Sequence, residues 1–360
     1  MAHRNRIGNL FSLTSFGESH GAAIGGVIDG MPAGVKIDMG RLAYEMSRRR
    51  PGQSALTTAR REDDAVELLS GVFNGVTLGT PIGFVIRNKD HRSADYDEIA
   101  KAYRPNHADY TYDAKFGVRD YRGGGRASAR ETAARVVAGS LARQALETVG
   151  ITITAYTAQI GHVALLPDDA IDVSLIERNV VRCPHAARAE LMADAIADAQ
   201  RVGDTLGGRI VCRIDGVPAG LGEPVFGRLN AQLAEAMMSI NAAKAFEIGD
   251  GFDFASARGS EVLDEFVSNA DGRITTASNH SGGIQGGISN GSPITMSVVF
   301  KPIATLMRDL PAITPDGRDV TLPPRGRHDV CVVPRAVPVV EAMAAIVMLD
   351  NYLMARTARM

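Results

Sequence analysis

The sequence predicts an α+β fold in which sheets pack against helices. Short segments rich in β-branched residues, bounded by Gly, Asp or Pro, alternate with segments of helical periodicity. The alternation is too irregular for a Rossmann domain. The length of 360 residues allows one large domain or two medium ones, and no low-complexity linker, charge block or fixed-period repeat divides the chain.

The predicted elements follow one another along the whole chain. Strands are predicted at residues 22–28, 81–86, 151–160, 209–214 and 294–300. Helices are predicted at residues 39–49, 128–148, 187–202, 225–238 and 337–354. In the second of these helices Ser128 and Glu131 have the spacing of a capping box. Apolar residues recur at four-residue spacing on one of its faces: Val137, Leu141 and Ala145.

Composition excludes several classes of function. The 41 acidic and 39 basic residues nearly cancel to a formal net charge of -2, which gives no global field for nucleic acid or an anionic membrane. Aromatic residues make up only 5%, too few for a base-stacking surface. The three cysteines are widely spaced and odd in number, so neither a disulfide framework nor a zinc site is predicted, and a reducing cytoplasm fits best.

The sequence contains no predicted membrane anchor. Its N-terminus lacks the apolar core of a signal peptide. The longest uninterrupted apolar run, residues 342–349, is far shorter than the roughly 20 residues of a membrane span. We expect a soluble, unprocessed protein.

The basic residues are strongly skewed toward arginine, with 33 Arg against 6 Lys. A GC-rich coding sequence accounts for the size of this excess but not for the positions of the arginines. They bunch at residues 48–50, around the glycines at 123–125, and around His328 and Asp329. A solvated face is the ordinary alternative for such a run. Guanidinium groups that converge on one pocket instead bind carboxylate and phosphate bidentately, as a small polyanionic substrate requires.

Two histidines lie in polar loops suited to acid–base chemistry. His20 stands beside Ser19 in a glycine-flanked loop, where an imidazole that titrates near neutral pH can reach a ligand. That loop lacks the G-x-S-x-G pattern of a serine nucleophile. His107 precedes Asp109 in a second polar loop. None of the eight histidines has the H-x-x-H or H-E-x-x-H spacing of a metal site, so metal ligation is not predicted.

A third loop joins three glycines to the start of the longest middle helix. Arg126 and Arg130 flank Ser128 just after Gly123, Gly124 and Gly125. Free N–H groups at a helix N-terminus, together with flanking guanidinium groups, form a site for phosphate or carboxylate. This loop is therefore a predicted anion-binding site.

Eight ordered motifs along the chain are diagnostic when they occur together. They are residues 16–21 (FGESHG), 48–52 (RRRPG), 107–110 (HADY), 119–126 (RDYRGGGR), 239–242 (SINA), 249–252 (GDGF), 278–284 (SNHSGGI) and 326–329 (GRHD). On these motifs the chain closely resembles the chorismate synthase family from end to end. The resemblance implies a single domain over residues 1–360.

The resemblance implies the last shared step of aromatic biosynthesis, catalysed by a carbon–oxygen lyase acting on phosphates. In this family 5-enolpyruvylshikimate 3-phosphate loses phosphate and a ring proton by 1,4-anti elimination to give chorismate. The resemblance implies that reduced FMN is required without net redox change: it lends an electron that helps the phosphate to leave, and its N5 takes the proton. The implied fold is a β-α-β sandwich with an internal pseudo-two-fold arrangement, assembled as a homotetramer.

The resemblance also assigns roles to individual residues. His20, with Ser19 beside it, is expected to protonate the phosphate, and His107 to stabilise the charge of the reduced flavin near N1. Asp329 and Ser128 are expected to assist proton transfer at N5. The expected substrate contacts are Arg49, Arg130 and Arg335. The expected flavin contacts are Arg126, Ala127, Ser128, Asn241, Ala242, Gly286, Lys301, Pro302, Ile303, Ala304, Thr305 and Arg327.

Two alternatives differ from this reading in what the site does. A bifunctional member would also reduce flavin with NADPH, but the sequence has no G-x-G-x-x-G after a strand, so we predict the monofunctional type served by an external flavin reductase. A non-enzymatic phosphate-ligand or RNA-binding module would use the same arginines; the near-neutral charge and few aromatics oppose RNA binding.

The sequence departs from the family pattern at Ala55. Family members often have Arg or Lys at this position, so one basic contact is missing here.

Overall fold

The computed structural model describes residues 5–52, 64–88, 101–268, 272, 274–324 and 329–359. The helices within them are α1 (Met39–Arg49), α2 (Asp109–Phe116), α3 (Thr132–Glu147), α4 (Ala186–Arg201), α5 (Leu229–Met238) and α6 (Val333–Ala355). The strands are β1 (Arg6–Ile7), β2 (Ser12–Gly17), β3 (Ala23–Asp29), β4 (Val66–Leu68), β5 (Val72–Phe73), β6 (Val76–Thr77), β7 (Ile82–Arg87), β8 (Thr152–Ile160), β9 (Val163–Ala164), β10 (Gly208–Asp215), β11 (Ala243–Ile248), β12 (Phe266–Ser268), β13 (Ile274–Thr276), β14 (Ile284–Gln285), β15 (Ile288–Ser289), β16 (Ile294–Phe300), β17 (Leu310–Ile313) and β18 (Asp319–Leu322).

Two five-stranded antiparallel sheets enclose a layer of helices. The first sheet has the order β1-β2-β3-β7-β4 and the second the order β11-β16-β10-β8-β9. Helix α3 packs against β2 and β3 on one side and against β8 on the other, while α6 packs against β8 and β10. This arrangement confirms the predicted α+β fold and its β-α-β sandwich, in which one sheet on each side faces the helices.

Register places apolar side chains of the second sheet on the helices. Cys212 in β10 lies opposite Ala155 in β8 and Met296 in β16, and all three side chains are buried. The five strands predicted from the sequence are all present, each within one residue of its predicted ends. They were predictable because β-branched residues fill a pleated, half-buried surface.

The contact between α3 and α6 is the tightest in the helical layer. Nearly every residue of α3 is buried, in keeping with its run of Ala, Val and Gly. A Cβ added at Gly139 would lie 2.3 Å from both Cα and Cβ of Ala342 in α6. The two backbones therefore meet at Gly139, and this position accepts no side chain.

We expect Gly139→Ala to lower the free energy of unfolding by about 1 to 3 kcal/mol or more, because the new methyl overlaps fixed backbone rather than a mobile side chain. Urea denaturation followed by circular dichroism measures this loss. Gly40→Ala in α1 is the matched control, since its Cβ would approach only the Asp38 carboxylate, at 3.2 Å. Equal stability of the two variants would contradict the tight contact.

Helix α6 begins earlier than the sequence predicts. The predicted start at residue 337 leaves Pro334 outside the helix and places Pro338 in its first turn, but the helix runs from Val333 and contains both prolines. Pro338 has no N–H to donate to the carbonyl of Pro334 one turn earlier, and Arg182 Nη1 donates to that carbonyl instead, at 2.5 Å. A guanidinium from another part of the chain thus replaces the missing helical hydrogen bond.

By length and composition α6 is apolar enough to cross a membrane, which the uninterrupted run at residues 342–349 did not indicate. It is nevertheless a core helix, because 83% of its most apolar 18-residue window is buried inside the protein. Two buried carboxylates, Glu341 and Asp350, also lie on this helix.

The predicted helix over residues 128–148 is wrong at its N-terminus. Two 3₁₀ turns, Gly125–Ala127 and Ala129–Glu131, precede α3, which begins at Thr132. The predicted helix over 225–238 likewise begins only at Leu229. In the first case the chain makes two tight turns before the helix, so the functional loop is longer than the pattern indicates.

The capping box predicted for this region does not form. Ser128 Oγ accepts a hydrogen bond from the backbone N–H of Arg130 at 3.3 Å, which caps the second 3₁₀ turn. The carboxylate of Glu131 does not reach back to Ser128. It accepts hydrogen bonds from Ser15 Oγ at 3.1 Å and from Arg135 Nε at 2.8 Å, so it joins α3 to β2.

Candidate active site

The predicted catalytic and substrate residues other than His107 gather where four segments meet. These segments are the loop after β2, the two 3₁₀ turns before α3, the C-terminus of α1 and the N-terminus of α6. The sheet and helix layers described above hold the four segments together, although they are far apart in sequence.

His20 packs against the backbone of the glycine-rich loop. A Cβ at Gly123 would lie 2.5 Å from His20 Cδ2 and 3.2 Å from Ser19 Oγ, so only glycine lets the two loops meet. Both predicted residues are buried: His20 is 8% exposed and Ser19 is 1% exposed. Ser19 Oγ is buried without a hydrogen-bond partner among the described residues.

Two carboxyl groups of these loops have shifted pKa values. Burial raises the pKa of Glu18, Arg126 opposes that rise, and Asp120 adds to it. A hydrogen bond from Arg122 lowers the pKa of Asp120, and the charge of the nearby His20 lowers it further. Glu18 and Asp120 therefore differ in proton affinity, and Asp120 places a negative charge near His20.

Asn88 connects the His20 loop to a predicted substrate arginine. It follows directly after β7, and its backbone N–H donates to the carbonyl of Ala22. Its Nδ2 donates to the carbonyls of Glu18 at 3.1 Å and Gly21 at 2.8 Å. Its Oδ1 accepts from Arg130 Nε at 3.0 Å. One buried amide thus touches both parts of the site.

Asp64 joins Arg130 to Arg49. Its carboxylate forms an ion pair with Arg130 Nη1 and lies 3.2 Å from Arg49 Nη2, and its side chain has no exposed surface. The sequence analysis identified neither Asp64 nor Asn88. The available signals were an acidic run directly after two arginines and a polar residue at the end of a predicted strand.

The chain of contacts continues to α6. Arg49 Nη1 donates to the carbonyls of Ala129 and Arg130, both at 3.3 Å, and Arg335 Nε donates to the carbonyl of Arg49 at 3.1 Å. Arg335 also forms an ion pair with Asp329. The structure thus brings Arg49, Arg130 and Arg335 together and places the predicted proton-transfer residue Asp329 beside one of them.

A small pocket opens beside these arginines. Arg49 and Arg335 line it together with the amide of Asn241. Its remaining lining residues are mostly apolar: Ala129, Thr132, Ile240, Val332, Ala336 and Val339. His20 and His107 are not among the described residues that line it. Two guanidinium groups in an otherwise apolar wall suit an anionic ligand with a carbon skeleton.

Within the arginine run at 48–50, adjacent residues serve different purposes. Arg48 points into the core, where it pairs with Glu45, Glu177 and Glu341. Arg49 points toward the pocket. The two guanidinium groups therefore do not bind one ligand together: Arg48 belongs to the core and Arg49 to the pocket.

His107 lies with a second group of predicted residues. Its Nε2 is 3.1 Å from Thr305 Oγ1, and Lys301 Nζ donates to the carbonyl of Asn106 at 3.1 Å. Asn106 has a φ of 59°, in the left-handed region that asparagine tolerates better than most residues. Burial lowers the pKa of Lys301, and the positive charge of Lys244 lowers it further.

Asp109, two residues after His107, stabilises the structure of its loop. Its carboxylate accepts from Arg104 Nη2 at 2.7 Å and pairs with Arg119 at 3.0 Å. Burial alone would raise the pKa of Asp109, but its hydrogen bonds and charge interactions with Arg104 and Arg119 outweigh burial and lower it. These bonds hold the loop that carries His107.

Several predicted flavin residues contact one another. Asn241 Nδ2 donates to the carbonyl of Ala127 at 2.8 Å, and Lys301 N donates to the carbonyl of Ala242 at 2.9 Å. Ala242 has a φ of 68°, an uncommon conformation for alanine that is more frequent at functional sites. Three further predicted residues belong to the loop between Lys301 and Thr305: Pro302, Ile303 and Ala304.

Among the described residues, one predicted flavin contact, Gly286, does not join this group. Gly286 lies in the turn between β14 and β15, where the neighbouring Gly287 contacts Arg228 at the N-terminus of α5. Asn241 follows the opposite end of α5, which is a ten-residue helix about 15 Å long. Arg327, another predicted flavin contact, lies outside the described residues. Three other residues that the sequence analysis considered lie outside them as well: Ala55, Arg325 and His328.

The side chain of Arg126 packs on β2. Its Nη2 donates to Ser15 Oγ at 2.8 Å and lies 3.9 Å from the carboxylate of Glu131. Because the guanidinium group is engaged in this way, we expect Arg126 to contact a ligand mainly through its backbone.

Comparison with known proteins gives one consistent family. The family model described as "Chorismate synthase" matches residues 11–353. The chain is 57% identical to the chorismate synthase of Bacteroides thetaiotaomicron over 357 residues, which cover 99% of each chain. It is 54% identical to that of Porphyromonas gingivalis over 99% of this chain and 97% of the relative. A solved structure titled "Crystal Structure of Chorismate Synthase" superposes with a TM-score of 0.78 at 32% identity, over 96% of this chain and 93% of that one.

Proposed function

The chain belongs to the chorismate synthase family, which makes it a lyase of aromatic amino acid biosynthesis, and we propose that Arg49, Arg130 and Arg335 bind its substrate while His20 protonates the leaving phosphate. The substrate, 5-enolpyruvylshikimate 3-phosphate, carries two carboxylates and one phosphate. The observation that supports these roles is the continuous set of contacts from the His20 loop through Arg130 and Arg49 to Arg335.

The substrate arginines are held in position by the protein itself. Asp64 fixes Arg49 and Arg130, and Asp329 fixes Arg335. A guanidinium stays charged at any physiological pH and offers five N–H donors, so it can pair with a carboxylate of the protein and still donate to the substrate. Pre-oriented donors lose less conformational entropy when the ligand binds.

His20 delivers its proton in a nearly closed environment. The ring is buried against Gly123, so little bulk water reaches it. A ligand that occupies the site therefore contacts the imidazole directly. The phosphate leaves with increased negative charge, which a proton from His20 neutralises. Positioned general acids of this kind contribute about 100- to 10,000-fold to rate.

The residues near Asn241 suit reduced FMN. Asn241 Oδ1 is buried without a hydrogen-bond partner among the described residues, as expected of an acceptor meant for a ligand N–H. Lys301 supplies a cation beside the same group of residues. When bound, reduced FMN supplies the electron that helps phosphate to leave and accepts the ring proton. The chain's part is to hold it through the turn at Arg126, Ala127 and Ser128, through Asn241 and Ala242, and through the loop from Lys301 to Thr305, with Gly286 and Arg327 as further predicted contacts.

His107 and Asp329 have supporting roles in this proposal. Thr305 Oγ1 fixes the ring of His107, which lies beside the proposed flavin group and stabilises negative charge there. Asp329 and Ser128 assist removal of the ring proton. The ion pair with Arg335 holds the Asp329 carboxylate in place, and the hydrogen bond from Arg130 N holds the Ser128 hydroxyl.

We propose further that residues 1–360 form one domain of a cytoplasmic homotetramer that receives reduced flavin from an external reductase and has no nucleic acid or membrane partner. One continuous hydrophobic core that includes residues of both sheets and of α1, α3, α4, α5 and α6 supports the single domain. The net charge of -2 opposes nucleic acid binding, and the absence of a dinucleotide motif supports the monofunctional type.

Phosphate release from 5-enolpyruvylshikimate 3-phosphate, measured anaerobically, tests this function. We expect release with chemically reduced FMN and none with oxidised FMN. An arm with oxidised FMN and NADPH alone tests the reductant supply; sustained chorismate formation there would overturn the monofunctional assignment. No phosphate release with reduced FMN would overturn the function itself.

A further inference from the structure

We propose that Asn88 is a positioning residue that orients His20 and Arg130 relative to each other during the elimination. This inference rests on the proposed roles of those two residues. Asn88 itself touches the backbone of the His20 loop and the side chain of Arg130, but it has no proposed contact with the reacting atoms.

The two ends of the Asn88 amide act on different parts of the site. Nδ2 uses both of its hydrogens, on the carbonyls of Glu18 and Gly21, and thereby closes the loop that carries Ser19 and His20. Oδ1 accepts from Arg130 Nε. A side chain that joins two carbonyl acceptors to a guanidinium donor must be an amide, because a carboxylate lacks the donors and a hydroxyl is too short to span all three.

The position of Asn88 is fixed from several directions. It follows β7, whose Arg87 pairs with Ala23 of β3, and its own N–H bonds to Ala22 at the start of that strand pair. The residue is 8% exposed, so water does not replace its hydrogen bonds readily. The sheet therefore sets the distance between the imidazole loop and the substrate arginine.

The variant Asn88→Asp separates the two functions of the amide. The carboxylate still accepts from Arg130 Nε but repels the carbonyl oxygens of Glu18 and Gly21, so the His20 loop shifts. A misplacement of about 1 Å can lower rate by about 100-fold. We expect kcat to fall by about that factor, with a smaller change in KM for the enolpyruvyl substrate. Asn88→Ala loses both contacts, and we expect it to change kcat and KM together.

A second measurement reports on the loop without any activity. Diethylpyrocarbonate modifies accessible imidazoles, and mass spectrometry of the treated protein gives the rate at each histidine. We expect His20, which is buried, to react several-fold faster in Asn88→Asp than in the wild type. His162, in an exposed turn, is the internal reference and should react at the same rate in both.

Asn179→Asp is the matched control. Asn179 also donates two hydrogen bonds to backbone carbonyls, those of Leu175 and Cys183, and accepts one from Cys183 N. It ties a surface loop rather than the site, so we expect a loss of stability but normal kcat and normal His20 reactivity. If Asn88→Asp does not fold, Asn88→Ser undergoes the same measurements.

The outcomes distinguish this inference from the proposed function. Unchanged kcat in Asn88→Asp, or a lower kcat with unchanged His20 reactivity, would overturn the positioning role. A wild-type protein that releases no phosphate would overturn the proposed function, and the modification rates would still decide whether Asn88 holds the loop.

Discussion

Replacement of His20 by alanine is expected to lower kcat for chorismate formation by about 100- to 10,000-fold, the range typical of a lost general acid. KM for the enolpyruvyl substrate should change much less, because the three arginines that bind its anions remain. This split between kcat and KM is the signature of an interaction made in the transition state rather than in the bound substrate.

The structure gives the reason for expecting so large an effect. His20 is buried against Gly123, where a Cβ would come within 2.5 Å of the ring, so the imidazole is held in a fixed position. Glu18, the nearest acidic group of raised pKa, is directed toward Gly125 and Arg126 instead.

Single-turnover kinetics with reduced FMN under anaerobic conditions measures the loss directly. His162→Ala, which removes an imidazole from an exposed turn between β8 and β9, is the matched control and should be as active as the wild type. Flavin binding, followed by absorbance, should be normal in both variants. A His20→Ala protein with near-normal turnover would show that another group protonates the phosphate.

The architecture was accessible from the sequence because its elements have strong local signals. All five predicted strands occur, and α1 spans residues 39–49 as predicted. Its start was clear because Asp38 accepts a hydrogen bond from Arg41 N in a normal N-terminal cap. The starts of α3 and α6 were not accessible. In α3 the carboxylate of Glu131 binds Ser15 and Arg135 instead of its own cap, and in α6 a distant arginine compensates for Pro338.

The candidate site was accessible only where a motif carried its own chemistry. His20, the glycine loop and the arginines stand out by residue type and spacing. Asp64 and Asn88 do not, because each acts through partners that the fold, and not the sequence, brings near. Arg48 and Arg49 cannot be distinguished by sequence. Consecutive residues of a helix point in different directions, so Arg48 lies in the core and Arg49 lines the pocket.

That core network is the basis of the largest expected stability effect. Glu341 of α6 pairs with Arg48 of α1 and with Arg143 of α3, and it accepts a hydrogen bond from Ala155 N at 2.9 Å. Glu45 shares the same two arginines. The cluster fixes the C-terminus of α1 from inside the protein, directly next to Arg49.

Glu341→Gln is therefore expected to lower the free energy of unfolding by about 3 to 5 kcal/mol, as found when one partner is removed from a buried ion pair. The glutamine keeps the volume of the side chain but leaves Arg48 and Arg143 with one carboxylate fewer in a region closed to water. Urea denaturation at pH 7 measures the difference from the wild type.

Glu147→Gln provides the matched control. Glu147 pairs with Arg41, so it also joins α3 to α1, but both side chains are about one-third exposed. Water and salt screen such a pair, and we expect its loss to lower stability by no more than about 1 kcal/mol. Equal losses in Glu341→Gln and Glu147→Gln would contradict the role of the buried network.

The pH dependence of this difference gives an independent check. Burial alone would raise the pKa of Glu341, but the charges of Arg48 and Arg143 outweigh burial and lower it. A carboxyl whose pKa is lower in the folded than in the unfolded state stabilises the fold fully above its unfolded pKa of about 4.3. The gap between wild type and Glu341→Gln should therefore be constant between pH 7 and about pH 5 and should narrow as the pH falls through the lower, folded-state pKa. A gap that widened on acidification would show that Glu341 is not ionised in the folded protein.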